Sequence, residues 1–306
     1  MIALKTIGIT LLLAFMNMFP SPGLGKIMAQ ETNDTTSSPA VPSFTQPAPN
    51  LRWYTMFTNI PGDWARVGET TIHTGALPAM AGITALTAAL LSTDRQTWTL
   101  SRTWYGSNAI TRRLSDFFVY FGDGRSLFTV SAVFGAYGLS CGDQRALRTG
   151  SQLVEVILSG GLAVQLLKHI TGRERPSDAS VPTGRWRFLP NQMEYMKHVP
   201  RYDAFPSGHI ESAVATVTVV AENYPEWKWV RPVGYSACVL LAIGLVNNGI
   251  HWYSDYPLGI SLGYTFGMIV SHPESENPKS PEDAQRLVVA PLIVPNGIGI
   301  SLVWRY

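Results

Sequence analysis

Two residues in the stretch GLVNNGIHWYSDYPLG, residues 244–259, have the types and spacing to do chemistry. His251 stands four residues before Asp255, between two long apolar runs. Ser254 is a candidate N-cap and Pro257 fits the first turn of a helix, which puts His251 in the turn before that helix and Asp255 in its first turn. So placed, Asp255 accepts a hydrogen bond from one imidazole nitrogen and leaves the other free as nucleophile or base. The same residues also suit a polar helix end, with a buried histidine satisfied by a carboxylate. What decides between the two is whether the chain supplies the rest of a site.

Two further clusters bear on that. In KHITGRERP, Lys168 ends an apolar run, and Arg173, Arg175 and Pro176 follow. Lys168 and Arg175 are seven apart and reach the same helix end. Cations gathered there are costly to desolvate unless an anion lies between them, although a helix C-terminus favours cations by itself and long side chains snorkel to water. In FPSGHIESA, Ser207 is a good N-cap and Gly208 lets a ligand approach the backbone. Free N–H groups at a helix start form an anion site. His209, in the first turn, is placed to give a proton to whatever binds there. Alone, this is also a plain capped helix with an exposed histidine.

Together the three are far more specific. A Lys-x6-Arg-Pro, a Pro-Ser-Gly-His and a His-x3-Asp occur in that order, each at the end of an apolar run. The set resembles the type 2 phosphatidic acid phosphatase (PAP2) / vanadium haloperoxidase superfamily, which includes lipid phosphatases, bacterial acid phosphatases and vanadium haloperoxidases. The likeness spans residues 76–271. It implies an all-α fold, a six-helix bundle. It implies that Lys168, Arg175, Ser207 and the Gly208 backbone hold phosphoryl oxygens, that His251 attacks phosphorus to form a phosphohistidine, that Asp255 orients His251, and that His209 protonates the leaving group. It implies no metal and no cofactor. General chemistry agrees: cations and helix N–H groups stabilise charge on the equatorial oxygens, and a histidine nucleophile splits hydrolysis into two steps.

One departure stands out. The family's third motif begins Ser-Arg, with the arginine six residues before the nucleophilic histidine; here those positions hold Gly244 and Leu245. Losing one charge-assisted donor to an oxyanion costs about 2–4 kcal/mol, a factor of about a hundred or more in turnover. Asn247, Asn248, Arg173 and Arg201 are the candidate replacements.

The elements that must position these residues read as helices. Apolar runs of helical length, without strand alternation, cover 76–92, 126–141, 150–170, 208–222, 232–249 and 255–271, and a shorter Arg-bearing segment, 107–121, adds another. Gly259, Gly263 and Gly267, four apart on the last run, let a neighbouring helix come close. RWYTMFTNIPGDWARVGE, ahead of the first run, looks interfacial or amphipathic. Between the third and fourth runs, residues 172–206 form a long polar loop whose aromatics and arginines argue against disorder. At the end, RLVVAPLIVPNGIGISLVWRY has two β-branched runs about a PNG turn, the signal for a small C-terminal β-hairpin appendage. The domain boundaries expected are a signal peptide over 1–29, a disordered Ser/Thr/Pro-rich linker over 30–50, a PAP2-like domain over 51–272, and a polar linker with the hairpin over 273–306.

Composition narrows the classes. Charged residues are 14% of the 306, against about 25% in an average soluble chain, and hydrophobic residues are 46%. With a mean hydropathy of +0.09 this indicates a membrane protein or a very apolar bundle. The net charge is only +2 with no basic block, which leaves nucleic-acid binding without an electrostatic footprint. Cys141 and Cys238 lie in apolar runs; an exported protein can join them, and two buried free thiols fit equally. The short apolar core near the N-terminus, followed by Ala29, reads as an export signal. A cleaved signal starts the mature chain outside, and three spans then put Lys168 inside, against the outward-facing motifs of membrane-spanning relatives. The run 208–222 is also short for a span. The expected location is periplasm-facing, membrane-integral or membrane-associated.

The function expected is that of a phosphoric monoester hydrolase acting on a phosphorylated lipid or a small phosphoester, with Trp186, Phe188 and Trp252 near the site favouring lipid. Alternatives are a vanadate-dependent haloperoxidase and a weakened phosphate- or lipid-binding member, in which an arginine at position 245 restores activity. Oligomeric state is not legible.

Overall fold

The structure is a computed structural model that describes residues 54–72, 74–273, 286–294 and 297–305. The expected signal peptide and linker, 1–50, lie outside the described residues. Ten helices carry the argument: α1 Ile60–Ile72, α2 Leu77–Leu91, α3 Asp94–Ser107, α4 Ala109–Phe121, α5 Gly124–Cys141, α6 Gln144–Thr171, α7 Gln192–Lys197, α8 Gly208–Asn223, α9 Val230–Asn247 and α10 Tyr256–Ser271. All six apolar runs are helical, and α2, α5, α6, α8, α9 and α10 form the body of the bundle. Strands β1 Arg286–Val294 and β2 Gly297–Arg305 pair antiparallel, Val294 opposite Gly297.

Helix α3 falls where a connection was expected. Its buried positions are Asp94 and Ser101, seven apart on one face. A helix whose inward stripe is polar gives no apolar period to read. Ser101 meets the Tyr253 hydroxyl at 3.4 Å, and Asp94 faces the site. The segment before the first run becomes α1, which does carry an inward face: Asp63 is buried, and the Trp64 indole donates to the Ser159 carbonyl of α6 at 3.2 Å.

The central helix α6 has clear local reasons for its ends. The Asp143 side chain accepts from the N–H groups of Arg145 and Ala146 at 2.9 and 3.1 Å. At the other end Gly172 takes the left-handed conformation, φ 54°, and its N–H returns to the Lys168 carbonyl at 3.0 Å. A side chain at Gly172 would also strike the Arg187 carbonyl. The chain therefore turns off sharply just past Lys168.

The core lies in two clusters. One joins Ile210, Val214, Leu241, Leu245 and Val246 with Tyr253 and Tyr256. The other joins Leu127, Leu153, Val156, Val219, Phe266 and Val270. Between α8 and α10 the glycine stripe does what its spacing indicates. A Cβ at Gly259 would lie 2.6 Å from the Ser207 carbonyl oxygen, and one at Gly263 2.2 Å from that of Glu211. The helix that begins at the Pro-Ser-Gly-His motif is thus seated directly on the helix that follows His251 and Asp255.

By length and composition, α6 and α9 are long and apolar enough to cross a membrane. Cys141 is exposed, Cys238 is buried, and both are free thiols, so they neither pair nor share a buried setting.

Candidate active site

The three motifs converge at one end of the bundle. Lys168, in the last turn of α6, is buried, with Nζ 3.9 Å from Asp203 Oδ2. Arg175 lies beyond the Gly172 turn, where its backbone N–H donates to the Pro200 carbonyl at 3.0 Å. Its guanidinium meets Asp203 side-on, Nε to Oδ1 at 2.6 Å and Nη2 to Oδ2 at 2.5 Å. Burial alone would raise the Asp203 carboxyl; the Arg175 hydrogen bonds and the charges of Lys168 and Arg175 outweigh it and hold the group below the usual carboxylate range.

Ser207 is fully buried at the N-cap of α8, where its hydroxyl accepts from the Ile210 N–H at a long 3.4 Å. Its own N–H donates to the Asp255 carbonyl at 3.1 Å. The open side of Gly208 faces α6: a Cβ there would lie 3.9 Å from Lys168 Nζ. The start of α8 and the end of α6 therefore enclose the same space. His209 follows in the first turn, with Nδ1 3.4 Å from His251 Nε2.

His251 is buried between these parts. Its Nδ1 lies 2.8 Å from the Ala204 carbonyl and 3.4 Å from Asp255 Oδ2. The backbone carbonyl is thus the nearer acceptor, where sequence reasoning gave that part to Asp255 alone. A proton on Nδ1 leaves the Nε2 lone pair facing His209. Burial and the Lys168 charge lower the His251 pKa well below the ordinary imidazole value, so the ring is neutral at neutral pH.

Asp255 sits just before α10 in a short turn, Tyr253–Asp255, one step earlier than expected. Ser254 is correspondingly not the N-cap. Its hydroxyl donates to Asp94 Oδ2 at 2.5 Å and accepts from Arg173 Nη1 at 2.7 Å. Asp255 Oδ2 accepts the Trp252 N–H at 2.7 Å, and Oδ1 accepts from Arg173 Nη1 at 2.5 Å. Burial pushes the Asp255 carboxyl up to about 6, with Arg173 pulling it down.

Arg173 is the hub behind the histidine. Its Nη2 donates to Asp94 Oδ2 at 2.6 Å and to the Thr183 carbonyl at 2.9 Å. Its guanidinium lies 4.8 Å from the Trp186 ring and 5.3 Å from that of Trp252. The two tryptophans expected beside a lipid instead flank this arginine. The loop around them is held by Glu174, which accepts from the N–H groups of Ser180 and Arg185 and from Arg187 Nη2 at 2.8–2.9 Å.

The four candidate stand-ins for the missing arginine are otherwise engaged or exposed. Arg173 serves Asp255 and Asp94. Asn247 Nδ2 donates to Ser115 Oγ at 2.8 Å, Asn248 Nδ2 donates to the Gly244 carbonyl at 3.0 Å, and Arg201 is exposed. The two substituted positions have packing roles. Leu245 is fully buried in the first core cluster, and a Cβ at Gly244 would lie 2.8 Å from the Ser115 carbonyl of α4.

Three contributors escaped sequence reasoning: Asp94, Asp203 and the Ala204 carbonyl. Asp203 and Ala204 were adjacent to a motif already singled out, so proximity was the available signal. Asp94 had none, because its partners lie about eighty or more residues away along the chain. Among the described residues, no group of three or more His, Cys, Asp or Glu has the arrangement to hold a metal ion.

Comparison with known proteins finds a family model that matches part of the chain. Residues 149–278 match the model of the PAP2 superfamily. No curated protein matches the chain. Two similar solved structures are a transmembrane PAP2-type phosphatidylglycerolphosphate phosphatase from Bacillus subtilis and LpxE from Aquifex aeolicus. The first is 18% identical, with 65% of this chain and 97% of that chain covered and a TM-score of 0.49. The second is also 18% identical, with 57% and 92% covered and a TM-score of 0.43.

Proposed function

We propose that this chain, whose residues 149–278 belong to the PAP2 superfamily, is a PAP2-type phosphatase that hydrolyses a phosphate monoester through a phosphohistidine. The observation that carries this reading is the His251 imidazole. Its Nδ1 is tied to the Ala204 carbonyl and Nε2 is turned toward His209, beside a space bordered by Lys168 and the start of α8.

In the first step the Nε2 lone pair attacks phosphorus, the P–O ester bond breaks, and the leaving oxygen takes a proton from His209. The Nδ1 proton, held by Ala204 and near Asp255, stabilises the positive charge that develops on the ring. In the second step water attacks phosphorus, gives its proton to His209, and the P–N bond breaks to release phosphate. Lys168, Arg175, Ser207 and the N–H groups at the start of α8 hold the equatorial oxygens.

A lipid phosphate is the favoured substrate, and a membrane-integral setting goes with it. Phe188, Leu189, Met193 and Met196 are all more than two-thirds exposed. They sit beside the end of α6: the Leu189 N–H donates to the Ile170 carbonyl, and Gln192 meets His169. Exposed apolar side chains at the rim suit contact with acyl chains. Export and a periplasm-facing site complete the reading, with the N-terminal signal outside the described residues.

The test is phosphate release from p-nitrophenyl phosphate and from a phosphatidic acid in mixed micelles, with a chelator present. Release by the full chain that disappears in His251→Ala supports the assignment; unchanged release in that variant sinks it.

A further inference from the structure

The phosphate site proposed above contains a charge that the reaction does not require. Asp203 lies in the last turn of the loop before the Pro-Ser-Gly-His motif, nearly fully buried, with both oxygens on Arg175 and one 3.9 Å from Lys168. Its side-on hold on Arg175 uses the guanidinium edge that a phosphoryl group would use for two parallel hydrogen bonds. The position that would add a third cation is occupied by Leu245, which faces the core instead. The pocket thus sets two cations against one carboxylate and keeps a single positive charge. Behind His251 the balance is opposite, since Arg173 faces both Asp94 and Asp255.

We propose that Asp203 sets the charge state of the phosphoryl group that the site accepts, selecting a singly charged hydrogen phosphate monoester over the doubly charged form. A singly charged group carries a P–OH, and that hydroxyl donates to the Asp203 carboxylate while the remaining oxygens take Lys168, Arg175 Nη1, Ser207 and the start of α8. A doubly charged group offers no such donor and sets a second negative charge against an ionised carboxylate among buried groups, where like charges repel strongly. This deepens the phosphatase reading and rests on it for the identity of the pocket.

The groups that face Asp203 are Arg175 and Lys168, Tyr195 of α7, and His251. His209 faces His251 and Lys168 in turn, and Asp255 acts on Lys168 from behind. Asp178 acts on Arg175 but is exposed and screened. Removing the Asp203 charge makes His251 easier to deprotonate, which by itself moves any activity limb set by that ring to lower pH. Charge selection moves the alkaline limb to higher pH, so the sign of the shift separates the two.

The experiment uses the full chain with p-nitrophenyl phosphate from pH 5 to 8.5, as wild type, Asp203→Asn and Asp203→Glu. A phosphomonoester loses its second proton near pH ~6. Wild-type kcat/KM is expected to fall about tenfold per pH unit above that point, as the singly charged form disappears. In Asp203→Asn the fall is delayed, with kcat/KM at pH 8 raised about tenfold or more relative to its value at pH 5.5, mainly through KM, while Asp203→Glu keeps the wild-type profile. An alkaline limb that stays in place or moves to lower pH in Asp203→Asn overturns the proposal. Calorimetric binding of inorganic phosphate to the wild type gives a second reading, independent of how the variant folds. Affinity that weakens as phosphate gains its second charge supports the proposal, and affinity that tightens overturns it. Phosphate binding with this pH dependence but no turnover sinks the phosphatase reading and leaves charge selection standing; turnover with an unmoved profile in Asp203→Asn does the reverse.

Discussion

Arg173 Nη1 donates to Asp255 Oδ1 across 2.5 Å, and neither side chain has any exposed surface. The same guanidinium reaches Asp94 Oδ2 at 2.6 Å. Two carboxylates from distant parts of the chain therefore share one buried cation, and one of them lies against His251. A residue inside the first motif, between Lys168 and Arg175, thus fixes the aspartate of the third.

Replacing Arg173 tests this directly. Arg173→Met leaves Asp94 and Asp255 facing each other without a counter-charge, and breaking such a buried pair costs about 3–5 kcal/mol. The expected result is a lower Tm together with a loss in kcat that exceeds the change in KM, since the residue positions Asp255, the neighbour of the proposed nucleophile. Arg173→Lys should recover part of both. A variant with wild-type melting and turnover would remove Arg173 from the account.

The pH dependence on the acid side follows from Asp255. Burial places its carboxyl at about 6, above the ordinary 3.8, even with Arg173 attached. Below about 6 it is neutral in the folded protein and loses its charge toward His251. The acid limb of kcat/KM should therefore rise through pH 6 and disappear in Asp255→Asn, whose activity is low throughout. Stability runs the other way. A folded pKa above the unfolded one favours folding below 3.8, and that contribution is lost as the pH climbs from 3.8 through 6. Denaturation of wild type and Asp255→Asn across that window checks the sign: the wild type loses stability relative to the variant as pH rises.

Position 245 offers a third test. Sequence comparison alone makes Leu245→Arg an obvious restoration. The structure places that side chain at full burial among Ile210, Val214, Leu241 and Tyr256. A guanidinium there has no carboxylate partner in the cluster, and burying an unpaired charge costs several kcal/mol. Leu245→Arg is expected to lower the Tm sharply and to give no gain in phosphate release, while Leu245→Met costs less than about 1.5 kcal/mol. Enhanced release with normal melting would show that the arginine reaches the pocket after all.

The sequence by itself determined the helices of the bundle body and the three motifs at their ends. Both depend on local regularities: apolar runs of helical length, a serine before a helix, a glycine that lets the chain turn, glycines four apart. Such signals survive without knowledge of what a segment touches. It also determined that an arginine expected at 245 is absent, since spacing from His251 is a property of the chain alone.

Only the tertiary structure decided how the charges are shared. Asp94 has no local signal because its stripe on α3 is polar, and its value comes from Arg173 and Ser254, which lie 79 and 160 residues away. Arg173 and Arg175 look alike in the sequence, two residues apart, yet one is enclosed behind His251 and the other is partly exposed beside Lys168. Asp203 looks like an ordinary loop residue and stands on the Lys168–Arg175 pair. Periodicity and spacing are written along the chain, whereas electrostatic partnership depends on which buried groups meet after the helices pack. A buried charge is tolerated only with its partner in place, so the packing that brings those partners together also decides what the site can bind.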